Sequence, residues 1–92
     1  MKKFSDAHFK VTTRPAGICG KIPLDNGAEI SIVMNERSYG HTAGLWEVAV
    51  FDSNGQVNLK CLEHDVLGHL TFMELEQKIQ EIQEELLALE AI

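Results

Sequence analysis

Ninety-two residues, an apolar fraction of 45%, a charged fraction of 24% and a net charge of −6 describe one small globular domain. That balance excludes wholesale disorder, and no apolar run approaches the roughly 20 residues of a bilayer-spanning helix. Cys19 and Cys61 are too few for a disulfide framework and read as small apolar core residues in a reducing compartment.

The charge is unevenly spread. Residues 1–21 carry five basic side chains against Asp6 alone, residues 22–70 carry seven acids and two bases, and residues 71–92 carry six Glu against Lys78. This pattern argues against phosphate-backbone binding over the whole surface and predicts no direct nucleic-acid partner. It suits either an acidic face presented to a basic partner or an acidic surface that keeps a small protein soluble.

In chain order, Met1-Lys2-Lys3 and the following Phe4 to His8 lack the apolar stretch of an export leader, so a cytoplasmic location is expected. Residues 1–15 are polar and mixed, with Phe4, Phe9 and Val11 as anchors, and are expected to be mobile. Arg14-Pro15-Ala16-Gly17 reads as a break. Residues 18–24 read as extended, with Pro23 favouring a sheet edge. Asp25-Asn26-Gly27 is the strongest turn signal, because Asn and Gly tolerate the positive φ of a tight hairpin. Ile30, Ile32 and Met34 then alternate with Glu29, Ser31 and Val33, the period of a half-buried strand. Residues 35–44 show no apolar period and read as a loop.

Residues 45–51 are rich in aromatic and β-branched side chains and read as a central strand. Asp52-Ser53-Asn54-Gly55 is a second turn, and the alternation of Val57, Leu59 and Cys61 predicts another strand after it. Residues 65–68 read as a connection into the helix. Leu70-Thr71-Phe72-Met73-Glu74-Leu75 carries a capping box (Thr71, Glu74) and a hydrophobic staple (Leu70, Leu75). Apolar residues recur at Phe72, Leu75, Ile79, Ile82, Leu86 and Leu89, a heptad seam. The expected architecture is one α+β domain over residues 1–92. It has an antiparallel meander of three to four strands over residues 16–62 and one long amphipathic helix over residues 71–92.

So narrow a seam packs on the sheet, on a second copy, or on both. The last turns project beyond a three-stranded sheet, which predicts a homodimer through Ile79, Ile82, Leu86 and Leu89. The alternative is a helix lying across its own sheet.

Chemistry is thinly represented. Cys61, His64 and His69, with Cys19 from the far end of the chain, could ligate zinc, but no second ligand pair of the usual spacing exists. His64 with Asp65, joined by His41, could make an acid–base pair, but no activated nucleophile accompanies them. Gly17, Gly20 and Gly27 lack the phosphate-loop pattern. A non-enzymatic protein with no cofactor or metal is expected. The polar loop with Ser38, Tyr39, His41 and Thr42 is a candidate contact region. So are the helix acids, Glu81, Glu84 and Glu85 above all, whose spaced carboxylates could imitate phosphates in a basic groove. Against that stands the ordinary preference of Glu for helices.

Leu24-Asp25-Asn26-Gly27, Ser31-Ile32-Val33, Ser38-Tyr39-Gly40, residues 44–50 (GLWEVAV) and residues 65–71 (DVLGHLT) resemble a loose group of small proteins of tailed phages and prophages. The resemblance spans residues 24 to about 82 and carries no active-site residue. It implies an accessory protein in the host cytoplasm that binds and inhibits a host defence complex by steric or electrostatic blockade. The anti-CRISPR type, aimed at a CRISPR effector or another nuclease, is the most concrete form. The alternatives are a phage structural or assembly protein that self-associates through its helix, and a small zinc-binding protein.

Overall fold

The computed structural model describes residues 1–38, 43–62 and 66–90. It shows an antiparallel sheet followed by a single C-terminal helix, an α+β fold. The sheet has more strands than the three or four expected: β1 (His8–Thr13), β2 (Ala16–Pro23), β3 (Glu29–Asn35), β4 (Trp46–Asp52), β5 (Gly55–Gln56) and β6 (Val66–Leu70). The helix, α1, spans Phe72–Glu90.

The first added strand comes from the segment expected to be mobile. A 3-10 turn at Phe4–Asp6 leads into β1, which pairs with β2 from His8↔Lys21 to Thr13↔Ala16. Residues 14 and 15 make the connection, and the Arg14–Pro15 peptide there is cis. The second addition, β6, stands where a simple connection was expected. It pairs with β4 through Val66↔Ala49, Leu67↔Val48 and Leu70↔Trp46. Two residues on β6, Gly68 and His69, oppose Glu47 alone, so β6 carries a bulge, with His69 at φ 60°. The bulge absorbs one residue of pleat, so Leu67 and Leu70 face the same side although they are three apart.

The strand expected from Val57, Leu59 and Cys61 is not formed. β5 ends at Gln56, and the chain leaves the sheet for a 3-10 turn at Lys60–Leu62. β6 occupies the stretch of β4 edge along which that strand would have run. The freed backbone groups of residues 60 and 61 go to helix side chains instead.

Both turns form, with the positive φ expected at Asn26 and Gly27 found at Gly27 alone, while Asn26 acts through its side chain. Asn26 Oδ1 accepts from the Ala28 N–H at 2.9 Å, Gly27 N–H donates to Leu24 C=O at 3.1 Å, and Gly27 sits at φ 88°. In the second turn Asp52 Oδ1 accepts from the Asn54 N–H at 2.8 Å.

Opposed residues of an antiparallel pair share a face, so the register sorts the side chains. Ile22, Ile30 and Val50 form one row on the inner face. Phe9, Gly20, Ile32, Val48 and Leu67 form the next, and Val11, Ile18 and Met34 the third. The helix covers the first row and most of the second. Leu75, Ile79 and Ile82 are buried there with Ile22, Ile30, Ile32, Val48, Val50, Leu59, Leu62 and Leu70. Each such aliphatic side chain contributes about 1.5–3 kcal/mol by its burial.

The helix begins as its sequence dictates. Glu74 N–H donates to Thr71 Oγ1 at 3.2 Å, and Thr71 N–H donates to Glu74 Oε1 at 2.9 Å, a complete capping box. No helix among the described residues is long and apolar enough to cross a membrane.

Candidate functional site

The third inner-face row is where the core stops. Exposure climbs toward the sheet's first strand: Ile32 and Val48 are fully buried, whereas Ile18 is 38%, Phe9 42% and Val11 80% exposed. The cause is geometric, since one helix spans only part of a sheet this wide. With Phe4, Lys10 and Trp46 these three side chains line a shallow cleft of about 440 Å³.

An aromatic group forms its floor. Phe4 is the hub, its ring centroid 5.1 Å from Phe9, 5.5 Å from Trp46 and 5.0 Å from Phe72, with the Trp46 and Phe72 contacts edge-to-face. Phe9 lies over Gly20, where a Cβ would stand 2.6 Å from the ring. Phe4 is held from the helix: its N–H donates to Glu76 Oε1 at 3.0 Å.

The cleft borders the free edge of β1. Among the described residues β1 pairs only with β2. The opposite margin of the sheet is interrupted, made of the two-residue β5 and the bulged β6. Bulges and short strands are among the devices that keep an edge from pairing with another chain; β1, six residues long, has neither, and its one charged edge residue is Lys10.

The helix acids expected to bind a partner are largely engaged within the chain. Glu85 bridges two backbone donors, Lys60 N–H at 2.7 Å and Cys61 N–H at 3.0 Å. Burial works to raise the Glu85 pKa. The Lys60 and Cys61 N–H groups, the Cys61 thiol and the Lys60 charge outweigh it, and the carboxyl ends below the usual Glu value. Glu81 pairs with Lys78 at 2.6 Å, and Lys78 Nζ also donates to Cys61 C=O at 2.9 Å. Glu74 caps its own helix, and bonds from the Thr71 backbone and hydroxyl lower its pKa. Glu84 and Glu90 are exposed on the helix. Glu85 therefore has a structural role, accepting from the backbone of residues 60 and 61.

The seam residues divide in the same way. Ile79 and Ile82 lie in the core, not on a surface a second copy could reach, and Leu86 packs against that core. Leu89, 53% exposed, and Leu87 stand outside it. Ser38 closes the turn after β3: its hydroxyl accepts from Asn35 N–H and donates to Asn35 C=O, both at 2.9 Å. Tyr39, His41 and Thr42 of that loop lie outside the described residues, as do His64 and Asp65.

Cys61 is a half-buried thiol whose pKa rises to about 11, through burial first and the neighbouring Glu85 carboxylate second. No group of three His, Cys, Asp or Glu side chains among the described residues is placed to hold a metal ion.

The β1 cleft is what the sequence reading missed. Its signal was present: Phe9 and Val11 alternate with His8, Lys10 and Thr12, the period of a strand. No family model matches the chain, and no curated protein or solved structure is similar enough to it to count as a relative or structural neighbour.

Proposed function

We propose that this chain is a non-enzymatic binding protein that occupies the surface of another protein through the cleft of Phe9, Val11, Ile18 and Trp46. One observation carries the reading: aromatic and aliphatic side chains cluster, exposed, on the inner sheet face just beyond the reach of the helix. Contiguous apolar patches of this kind mark interaction sites, and aromatic anchors dominate the energetics of interfaces. The segments that resemble small phage and prophage proteins supply the specific version: an inhibitor of a host defence complex of the anti-CRISPR type, acting in the host cytoplasm. Steric blockade suits the geometry better than electrostatic mimicry, because Glu74, Glu76, Glu81 and Glu85 already serve bonds inside the chain.

The test is phage plating on a bacterial host whose CRISPR nuclease targets that phage, with and without the expressed chain. Restored plating, lost when Val11→Glu and Ile18→Lys are introduced together, is the expected result. No restoration removes the inhibitor version. Restoration unaffected by the two substitutions removes the cleft as the binding surface.

A further inference from the structure

We infer that β1 takes up an extended, acidic segment of a partner protein as an added strand. This rests on the reading of the neighbouring cleft as a protein-binding surface, and specifies what that surface receives.

The backbone argument comes first. A strand edge presents a row of N–H and C=O groups that another extended chain satisfies. β1 offers six residues, about 20 Å at roughly 3.4 Å per residue, with no strand on its outer side among the described residues. The other margin of the sheet is broken by a bulge and a two-residue strand, so β1 is the edge suited to pairing.

Side chains then define the added strand. Its residues alternate between the two faces of the sheet. On the inner face they meet Phe9, Val11 and Ile18, which favours apolar side chains. On the outer face they meet His8 and Lys10, with Lys21 one strand further in, opposite His8. Lys10 and Arg14 are exposed and β1 carries no acid, so this margin is positive, while Lys21 is already paired with Glu29 at 3.4 Å. Opposite charges across a strand pair attract. The complementary segment alternates acid with aliphatic residue.

A second copy fits less well. Two β1 strands paired about Lys10 set lysine against lysine. Paired about Phe9 they set Lys10 against His8, and paired about Val11 they set Phe9 against Thr13. A lipid surface accommodates the apolar side chains but supplies no donors or acceptors in register with the strand edge.

The experiment uses Trp46, the only tryptophan of the chain and a wall of the cleft, as reporter. The full chain is titrated with an acetylated, amidated peptide alternating Glu and Val over seven residues, and separately with its Lys-for-Glu counterpart. Sedimentation of the chain alone and titration with phosphatidylglycerol vesicles complete the set. The expected result is a saturable Trp46 shift with the acidic peptide, severalfold weaker binding of the basic one, and reversal of that preference in Lys10→Glu. Lys10 and Val11 are exposed, so neither variant used here endangers the fold. Equal binding of both peptides, unchanged by Lys10→Glu, overturns the acidic strand and leaves the protein-binding cleft standing. No response to the acidic peptide at millimolar concentration overturns the inference. So does a dimer that Val11→Lys dissociates, which makes a second copy the occupant. A Trp46 shift with vesicles alone overturns both this inference and the reading it rests on.

Discussion

The side-chain amide of Gln83 holds the backbone of Lys2 in both directions. Lys2 N–H donates to Oε1 at 2.8 Å, and Nε2 donates to Lys2 C=O at 2.8 Å and to Ile79 C=O at 3.1 Å. A primary amide matches the donor–acceptor pair of a peptide unit, so one helix residue ties down the start of the chain. That tether helps place Phe4 at the hub of the aromatic group, and through it shapes the cleft beside β1.

Gln83→Ala removes all three bonds. It is expected to cost about 1–3 kcal/mol, the usual result of leaving part-buried polar groups unpaired. Amide exchange of residues 2–9 should accelerate, and the near-ultraviolet dichroism of Trp46 should weaken. Unchanged exchange in this segment would show that Phe4 alone anchors it.

Glu84 and Glu85 are adjacent in sequence and separate in role. Glu85→Lys strips two backbone N–H groups of their acceptor and sets a cation beside Lys60, with an expected loss of about 1–3 kcal/mol in denaturant unfolding. Glu84→Lys lies on the exposed helix face and should change stability by no more than about 0.5 kcal/mol. A binding assay of the helix acids is therefore cleaner with Glu84, because Glu85→Lys also disturbs the backbone of residues 60 and 61.

The titrating groups predict limits at both ends of the pH scale. Glu74 and Glu85 have folded pKa values below the ordinary 4.5. Their contribution is full above that value and is lost as the pH falls through the folded values. Cys61 has the opposite sign for alkali. Its pKa is raised from 9.0 to about 11, so its contribution is full below 9 and lost as the pH rises toward 11. Thermal unfolding from pH 3 to 11 should show both declines, with Cys61→Ser reducing the alkaline one and Glu85→Gln the acid one.

Gly20→Val should deform the cleft. The new Cβ would stand 2.6 Å from Phe9 Cε1 and 3.0 Å from Ile32 Cγ1, so the Phe9 ring must move. A cost of about 1–3 kcal/mol is expected for this overpacking, with a shift in Trp46 emission as the Phe9 ring leaves its place 6.2 Å away. An unchanged emission spectrum would mean that the Phe9 ring does not set the environment of Trp46.

Charges on the helix seam separate core from surface. Ile82→Asp puts an acid into a fully buried position and should unfold the chain. Leu89→Asp should leave the melting temperature nearly unchanged. If sedimentation shows a dimer that Leu89→Asp dissociates, the exposed end of the helix supplies the contact.

Features written within a few residues were legible directly. The capping box of Thr71 and Glu74, the Asn26–Gly27 and Asp52–Gly55 turns, and the strands around Ile32 and Val48 each depend on neighbours a few positions away, so composition and period reveal them. The alternation in β1 was equally local, yet Phe9 and Val11 amid polar residues read as isolated anchors until β2 paired with them. β6 escaped because its inward leucines are three apart, and only the bulge opposite Glu47 restores the period of two. Val57, Leu59 and Cys61 kept the period of a strand while their edge of β4 was taken by β6.

The candidate site was less legible than the fold, because accessibility is a property of the whole packing. Leu89 and Ile82 belong to the same heptad seam, and only their distance along the helix from the sheet makes one exposed and the other buried. Glu84 and Glu85 have the same chemistry, and only the folded position of Lys60 and Cys61 turns one of them into a backbone acceptor. Local hydrogen-bonding and hydrophobic period thus fix which elements form. Which edge stays open, which carboxylates are spent and which apolar side chains remain outside depend on how far one helix reaches across one sheet.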